Sequence, residues 1–165
     1  MAGTRDKQAH EPSAYQRALG LLVRREHSRK ELTRKLRAKG VAADALDCAL
    51  ETLSRQDFQS DERYAQALAR TRAASGQGPV RIRAELATHG LGRDLVEMAL
   101  DGCLVDWDSS ARSVLSRRYA GKDFADQAVR RKAIEFLLRR GFEQKTAFAA
   151  AKNASDSGGD EGASN

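Results

Sequence analysis

Glu31-Leu32-Thr33-Arg34-Lys35-Leu36-Arg37-Ala38-Lys39-Gly40-Val41 is the stretch whose reading decides the fold, because the chain repeats its plan twice more. Arg81-Ile82-Arg83-Ala84-Glu85-Leu86-Ala87-Thr88-His89-Gly90-Leu91 and Lys132-Ala133-Ile134-Glu135-Phe136-Leu137-Leu138-Arg139-Arg140-Gly141-Phe142 share its layout. The glycines stand 50 residues apart (40 to 90) and then 51 apart (90 to 141). Each has an apolar residue four positions before it and another directly after it. That is a helix stop: glycine takes the left-handed position beyond the last turn, and the next apolar residue folds back on the helix. A fixed period of this size implies stacked copies of one small unit. Such an array offers a surface more readily than a pocket, which favours a binding protein over an enzyme.

Outward from these stops, the sequence predicts an all-α fold, an elongated tandem array of three three-helix repeats. Repeat one spans 13–58. Its first helix carries Tyr15, Leu19, Leu22 and Val23. Its second opens on Ser28-Arg29-Lys30-Glu31, a capping box in which serine and glutamate satisfy each other's backbone N–H groups. Its third holds Leu46, Ala49, Leu50 and Leu53 at i, i+3, i+4 and i+7. Repeat two, 59–106, superposes at an offset of 50: Leu32, Leu36 and Val41 fall on Ile82, Leu86 and Leu91. Gly76 and Gly78 make the turn before its second helix, and Pro79 suits the first helical position. Repeat three, 107–151, starts with Asp108 as N-cap, continues with a helix from Gln127 to Arg140, and closes on a short alanine-rich helix over Glu143 to Ala151. Residues 1–12 are expected to form a flexible arm, and 152–165 a disordered tail too polar to bury itself.

The chain has 165 residues, 29 Lys and Arg against 23 Asp and Glu, and only 5% aromatics. That suits thin helical layers. The basic excess favours polyanionic or acidic partners. It is uneven: 42–61 is acidic, with Asp44, Asp47, Glu51, Asp57 and Asp61 against Arg55, while repeats one and three are basic. Two basic ends around an acidic patch suit a clamp along a groove. No apolar run is long enough to span a membrane, and the N-terminus lacks a signal-peptide layout, so a cytoplasmic protein is expected. Cys48 and Cys103 fit two core thiols in a reducing compartment; the sequence leaves a disulfide between them open.

No catalytic motif survives inspection. Gly76-Gln77-Gly78-Pro79 and Gly121-Lys122-Asp123 lack the lysine-hydroxyl pair of a phosphate loop. His10, His27 and His89 are scattered, so neither a metal nor a cofactor is expected, and His89 reads as a cation at a helix end. Arginine and lysine stand out instead. Arg24 and Arg25 precede a helix on which Leu32 and Leu36 define the buried side. Lys30, Arg34 and Arg37, at i, i+4 and i+7, then line the opposite side. Such a stripe can follow phosphates, dock on an acidic protein groove, or simply be solvated. A second cluster holds Arg117 and Arg118, then Arg130 and Arg131, then Arg139 and Arg140. Tyr119 and Phe124 within it read as core before base-stacking residues. The helix from Gln127 has a wide apolar face, extended by Ile134 and Leu138, so it is either central or part of a protein-docking site. Trp107 is expected to wedge between repeats two and three.

Arg24-Arg25-Glu26-His27-Ser28-Arg29-Lys30-Glu31-Leu32, with Leu36 and Gly40, resembles the opening signature of the RecX regulatory proteins. Asp61-Glu62-Arg63-Tyr64-Ala65 and Gly78-Pro79-Val80-Arg81-Ile82, with Glu85, Leu86, Gly90 and Leu91, resemble its later motifs. The resemblance covers roughly 13–150. One departure is Ser60-Asp61, where many relatives carry two acids; it leaves a capping role for Asp61. The resemblance implies a cytoplasmic, non-enzymatic modulator of the RecA recombinase. Such a protein binds RecA and the RecA–DNA filament, lodges in the filament groove, and suppresses ATP hydrolysis, strand exchange and the co-protease step of the SOS response. The alternative is a protein that binds single- or double-stranded DNA and competes for its phosphate backbone. A monomer without membrane contact is expected in either case.

Overall fold

The structure, a computed structural model, describes residues 12–156. Most of the expected arm (1–11) and the end of the expected tail (157–165) lie outside the described residues. Among the described residues there are nine α-helices and no strand: α1 (Ala14–Leu22), α2 (Arg29–Arg37), α3 (Ala43–Arg55), α4 (Asp61–Ala74), α5 (Pro79–Thr88), α6 (Arg93–Asp101), α7 (Trp107–Arg118), α8 (Gln127–Arg139) and α9 (Gln144–Asp156). They group in threes, as the glycine period predicts. By packing, the chain divides into two compact units, Met1–Asp61 and Glu62–Asn165. The first holds α1–α3.

The three predicted stops form. Gly40, Gly90 and Gly141 have φ of +77°, +74° and +87°. Leu36, Leu86 and Leu137, four residues earlier, are fully buried. The N–H groups of Val41 and Phe142 reach back to the carbonyls of Leu36 and Leu137 at 3.1 Å, which satisfies acceptors the helix end would leave open. Each repeat has its own core. Leu32, Leu36, Leu46, Leu50 and Leu53 fill the first. Tyr64, Ala65, Ile82, Leu86, Val96 and Leu100 fill the second. Ala111, Leu115, Phe124, Ala133, Leu137, Phe142 and Ala147 fill the third. Trp107 packs against both the second and third clusters, the wedge expected of it. Tyr119 and Phe124 lie in the third core, edge-to-face 6.0 Å apart, with Phe136 beside Tyr119.

Several local expectations give way. The reciprocal capping box forms at Ser13 and Gln16. At Ser28 only the serine half appears, accepting the Glu31 N–H at 3.1 Å, because the Glu31 carboxylate has stronger, cationic partners. Asp61 is the first residue of α4, and its carboxylate caps α2 by accepting the Arg29 N–H at 2.8 Å. Asp106, not Asp108, is the N-cap of α7. The last helix is not short: α9 runs to Asp156, five residues past the expected end, with Ala147, Ala150 and Ala151 letting it approach closely. Cys48 is exposed rather than in the core, Cys103 is half-buried, and both are free thiols.

Gly76 and Gly78 do different things. Gly76 turns the chain at φ +75°. Gly78 has an ordinary φ of −85° and is there for space. A Cβ on it would lie 2.3 Å from the backbone of Gly141 and Phe142. Here the end of α8 meets the start of α5. The N–H groups of Gly78 and Val80 donate to the carbonyls of Arg140 and Gly141, both at 2.9 Å. The open donors of one helix start and the open acceptors of one helix end satisfy each other. Repeats two and three are thereby joined backbone to backbone within the second unit.

Candidate functional site

On α2 the alternation of roles follows from helical geometry. Leu32 and Leu36 are fully buried, while Lys30, Arg34 and Arg37 are exposed along the other side. A helix with this stripe presents three cations within two turns.

The turn leading into it is held by a charged cluster. Arg25 grips Glu31 in bidentate fashion, at 2.6 and 3.2 Å. His27 Nδ1 lies 3.0 Å from Glu31 Oε2, near but not in line with it, and Lys35 Nζ lies 3.2 Å from Oε1. Glu31 is only 7% exposed. Burial raises its pKa, but Arg25, His27 and Lys35 together outweigh that and bring it down to about 2. Burial lowers the pKa of His27, which Glu31 only partly offsets. Below the ring, Gln59 donates to Asp61 at 2.9 Å and reaches toward the His27 carbonyl at 3.4 Å. Arg24 is exposed. Arg25, half-exposed, works inside the protein as the strap of this turn.

The second predicted cluster separates on the helices that carry it. Arg117 and Arg118 are exposed at the end of α7, where cations suit the helix dipole. Arg130 and Arg131 lie on α8 in a groove against α9, whose Lys152 joins them. Arg139 is exposed, with a weak contact to Glu135 at 3.9 Å. Arg140 is turned inward. Its Nη1 donates to the Ser75 and Gly76 carbonyls at 3.0 Å each, and its guanidinium lies 5.3 Å from the centre of the Phe136 ring. Arg140 is thus withdrawn from the predicted binding set: it clamps the joint between repeats two and three.

The sequence reading missed two further pairs. Arg72 holds Glu85 at 2.6 and 2.8 Å, and Arg83 holds Glu97 at 2.7 and 3.0 Å. They tie α4 to α5 and α5 to α6. In both, hydrogen bonding raises the arginine and lowers the glutamate pKa. Residues 13 or 14 apart give no helical-face signal, so only the packing reveals them. His89 is the C-cap of α5 and shares a 2.9 Å hydrogen bond with the buried Tyr64 hydroxyl. Among the described residues, no three His, Cys, Asp or Glu side chains gather as metal ligands, and no helix is long and apolar enough to cross a membrane.

Comparison with known proteins agrees with the helical grouping. The pattern of the RecX first three-helix domain matches residues 14–57, and that of the second three-helix domain matches 60–100. Regulatory protein RecX of Xanthomonas axonopodis pv. citri is 47% identical over 151 residues, covering 92% of this chain and 93% of that one. Its counterpart in Stenotrophomonas maltophilia is 48% identical over 139 residues, 84% and 85% of the two chains. The crystal structure of RecX from Lactobacillus salivarius shares the fold, with a TM-score of 0.71 at 24% identity over 87% of this chain and 94% of that one.

Proposed function

We propose, as the chain belongs to the RecX family of regulatory proteins, that it is a non-enzymatic modulator of the RecA recombinase. It binds RecA and lodges in the groove of the RecA–DNA filament, suppressing ATP hydrolysis, strand exchange and the co-protease activity of the SOS response. It acts in the cytoplasm as a monomer. The observation that carries this reading is the exposed row of Lys30, Arg34 and Arg37 on α2, opposite the buried Leu32 and Leu36. Arg24, in the turn before α2, and Arg117, Arg118, Arg130, Arg131 and Arg139, on α7 and α8, are further cations for such contacts. Several modest contacts on one chain raise avidity without a single strong site.

A second reading rests on the same cations: the protein competes with RecA for the phosphate backbone. Binding to naked DNA would then weaken steeply with salt, in proportion to the phosphates neutralised.

Titrating the protein into preassembled RecA filaments on excess single-stranded DNA, while following ATP hydrolysis, separates the two. Inhibition well below one molecule per recombinase supports direct action on the filament. Inhibition only when the protein rivals the DNA supports phosphate competition, and no inhibition removes both. The triple charge reversal Lys30→Glu, Arg34→Glu, Arg37→Glu is expected to weaken inhibition with helicity unchanged; full inhibition by it would move the contact elsewhere.

A further inference from the structure

We infer that the groove between α8 and α9 docks an amphipathic helix of the protein partner, apolar on one face and acidic along its flank. This rests on the proposal that the chain acts by binding RecA, and it names the chemistry of one contact.

The sequence left the wide apolar face of α8 with two readings, and the structure divides that face. Ala133 and Leu137 are buried. Ile134 is only half-buried, and Leu138, one turn further, is 42% exposed. From α9, Phe148 lies beside Ile134 in the groove and is 50% exposed. The two helices are joined by a short turn, and the groove between them has a volume of about 740 Å³. A third helix laid along such a pair is a recurrent way to bury an apolar stripe.

The rim selects the occupant. Arg130, Arg131 and Lys152 line the groove, and none of them pairs with a carboxylate among the described residues. These three cations outnumber the two acids of the groove, Asp126, which caps α8 through the Ala128 N–H at 2.7 Å, and Glu135, half-exposed and 3.9 Å from Arg139. A second copy laid face to face would set one net-positive rim against another. The segments outside the described residues, 1–11 and 157–165, hold one large apolar side chain, Met1, too little to cover Ile134 and Phe148. An acidic amphipathic helix from a different protein meets both the apolar floor and the cationic rim.

The test uses the full chain and RecA filaments on single-stranded DNA. Binding is measured for the wild type, Phe148→Ser and Arg131→Glu, with far-UV circular dichroism and Trp107 emission as checks of folding. Each variant is expected to bind filaments about tenfold or more weakly, as central apolar and charged anchors do. Phe148→Ser should leave binding to naked DNA unchanged. In the wild-type complex, zero-length carbodiimide coupling should join Lys152 Nζ to a carboxylate on RecA, and Lys152→Arg should abolish that product. Filament binding within twofold of wild type for the folded variants, or no Lys152 coupling, overturns the groove inference while leaving the proposed function standing. Failure of the wild type to bind filaments overturns both. Should Phe148→Ser fail to fold, Arg131→Glu and the coupling at Lys152 decide.

Discussion

Replacing Gly141 by alanine should damage the second unit far more than the same change at Gly121, although both have positive φ, +87° and +70°. At Gly121 the new Cβ meets nothing within 4 Å. The cost there is the left-handed backbone alone, about 1–2 kcal/mol. At Gly141 the Cβ would sit 2.3 Å from Arg81 Cβ and 2.5 Å from Arg81 N. Those atoms belong to the first turn of α5 and cannot swing aside. Restoring carbon contacts of about 3.5–4 Å requires the ends of α5 and α8 to part by more than an ångström. That stretches the two 2.9 Å bonds from Gly78 and Val80 to Arg140 and Gly141, each contributing about 1 kcal/mol. With the shared backbone strain, the total comes to about 3–4 kcal/mol. Urea unfolding followed by Trp107 fluorescence reads it directly, since Trp107 packs against the cores of both repeats in this unit. The expected result is a midpoint lowered at least twice as much by Gly141→Ala as by Gly121→Ala, at unchanged slope. A Gly78→Ala, Gly141→Ala double variant should cost clearly less than the sum, because both break one joint. Equal costs for Gly121→Ala and Gly141→Ala would refute the close backbone approach as what holds the repeats together.

Other outcomes follow from the same contacts. Arg140→Ala should destabilise the second unit by about 2 kcal/mol in the same assay, since it strips the Ser75 and Gly76 carbonyls of a charged donor; Arg140→Lys should recover only part, because a point charge cannot both bond and lie over Phe136. Glu31 titrates near 2 in the fold against an ordinary value of 4.5, so the stability it gives is complete above 4.5 and is lost as the pH falls toward 2. Discounted for the half-exposed Arg25, that is about 1–3 kcal/mol, and Glu31→Gln should flatten that acid limb. His27, whose folded pKa is lowered, adds a separate loss beginning as the pH drops below its ordinary 6.5, because the unfolded chain takes the proton first; its ring resonances followed by NMR should titrate below that value. Cys48, exposed, should react with a disulfide reagent at once, while Cys103 should lag, its pKa raised by burial and its thiol directed at the Ala99 carbonyl at 3.2 Å.

The sequence by itself determined the repeat. Leucine four residues before a glycine and an apolar residue after it specify a helix, its stop and its inward face through local geometry alone, so the grouping of helices and the α2 stripe were legible. Trp107, large and placed between two periods, was legible as a wedge for the same reason. Tertiary structure decided what no local rule contains. Whether a cation faces water or a carbonyl depends on what folds against it: Lys39 and Arg140 each stand directly before the glycine stop of their repeat. Yet Lys39 is exposed, and Arg140 closes on Ser75 and Gly76, which stand 65 and 64 positions away. Gly78 looked like a turn residue, but it is small because another backbone passes against it. Glu31 looked like half of a capping box, but Arg25, His27 and Lys35 outbid a neutral N–H for its carboxylate once the turn had brought them there. Such contacts span distances in sequence over which side-chain periodicity carries no information, and only the folded chain selects among them.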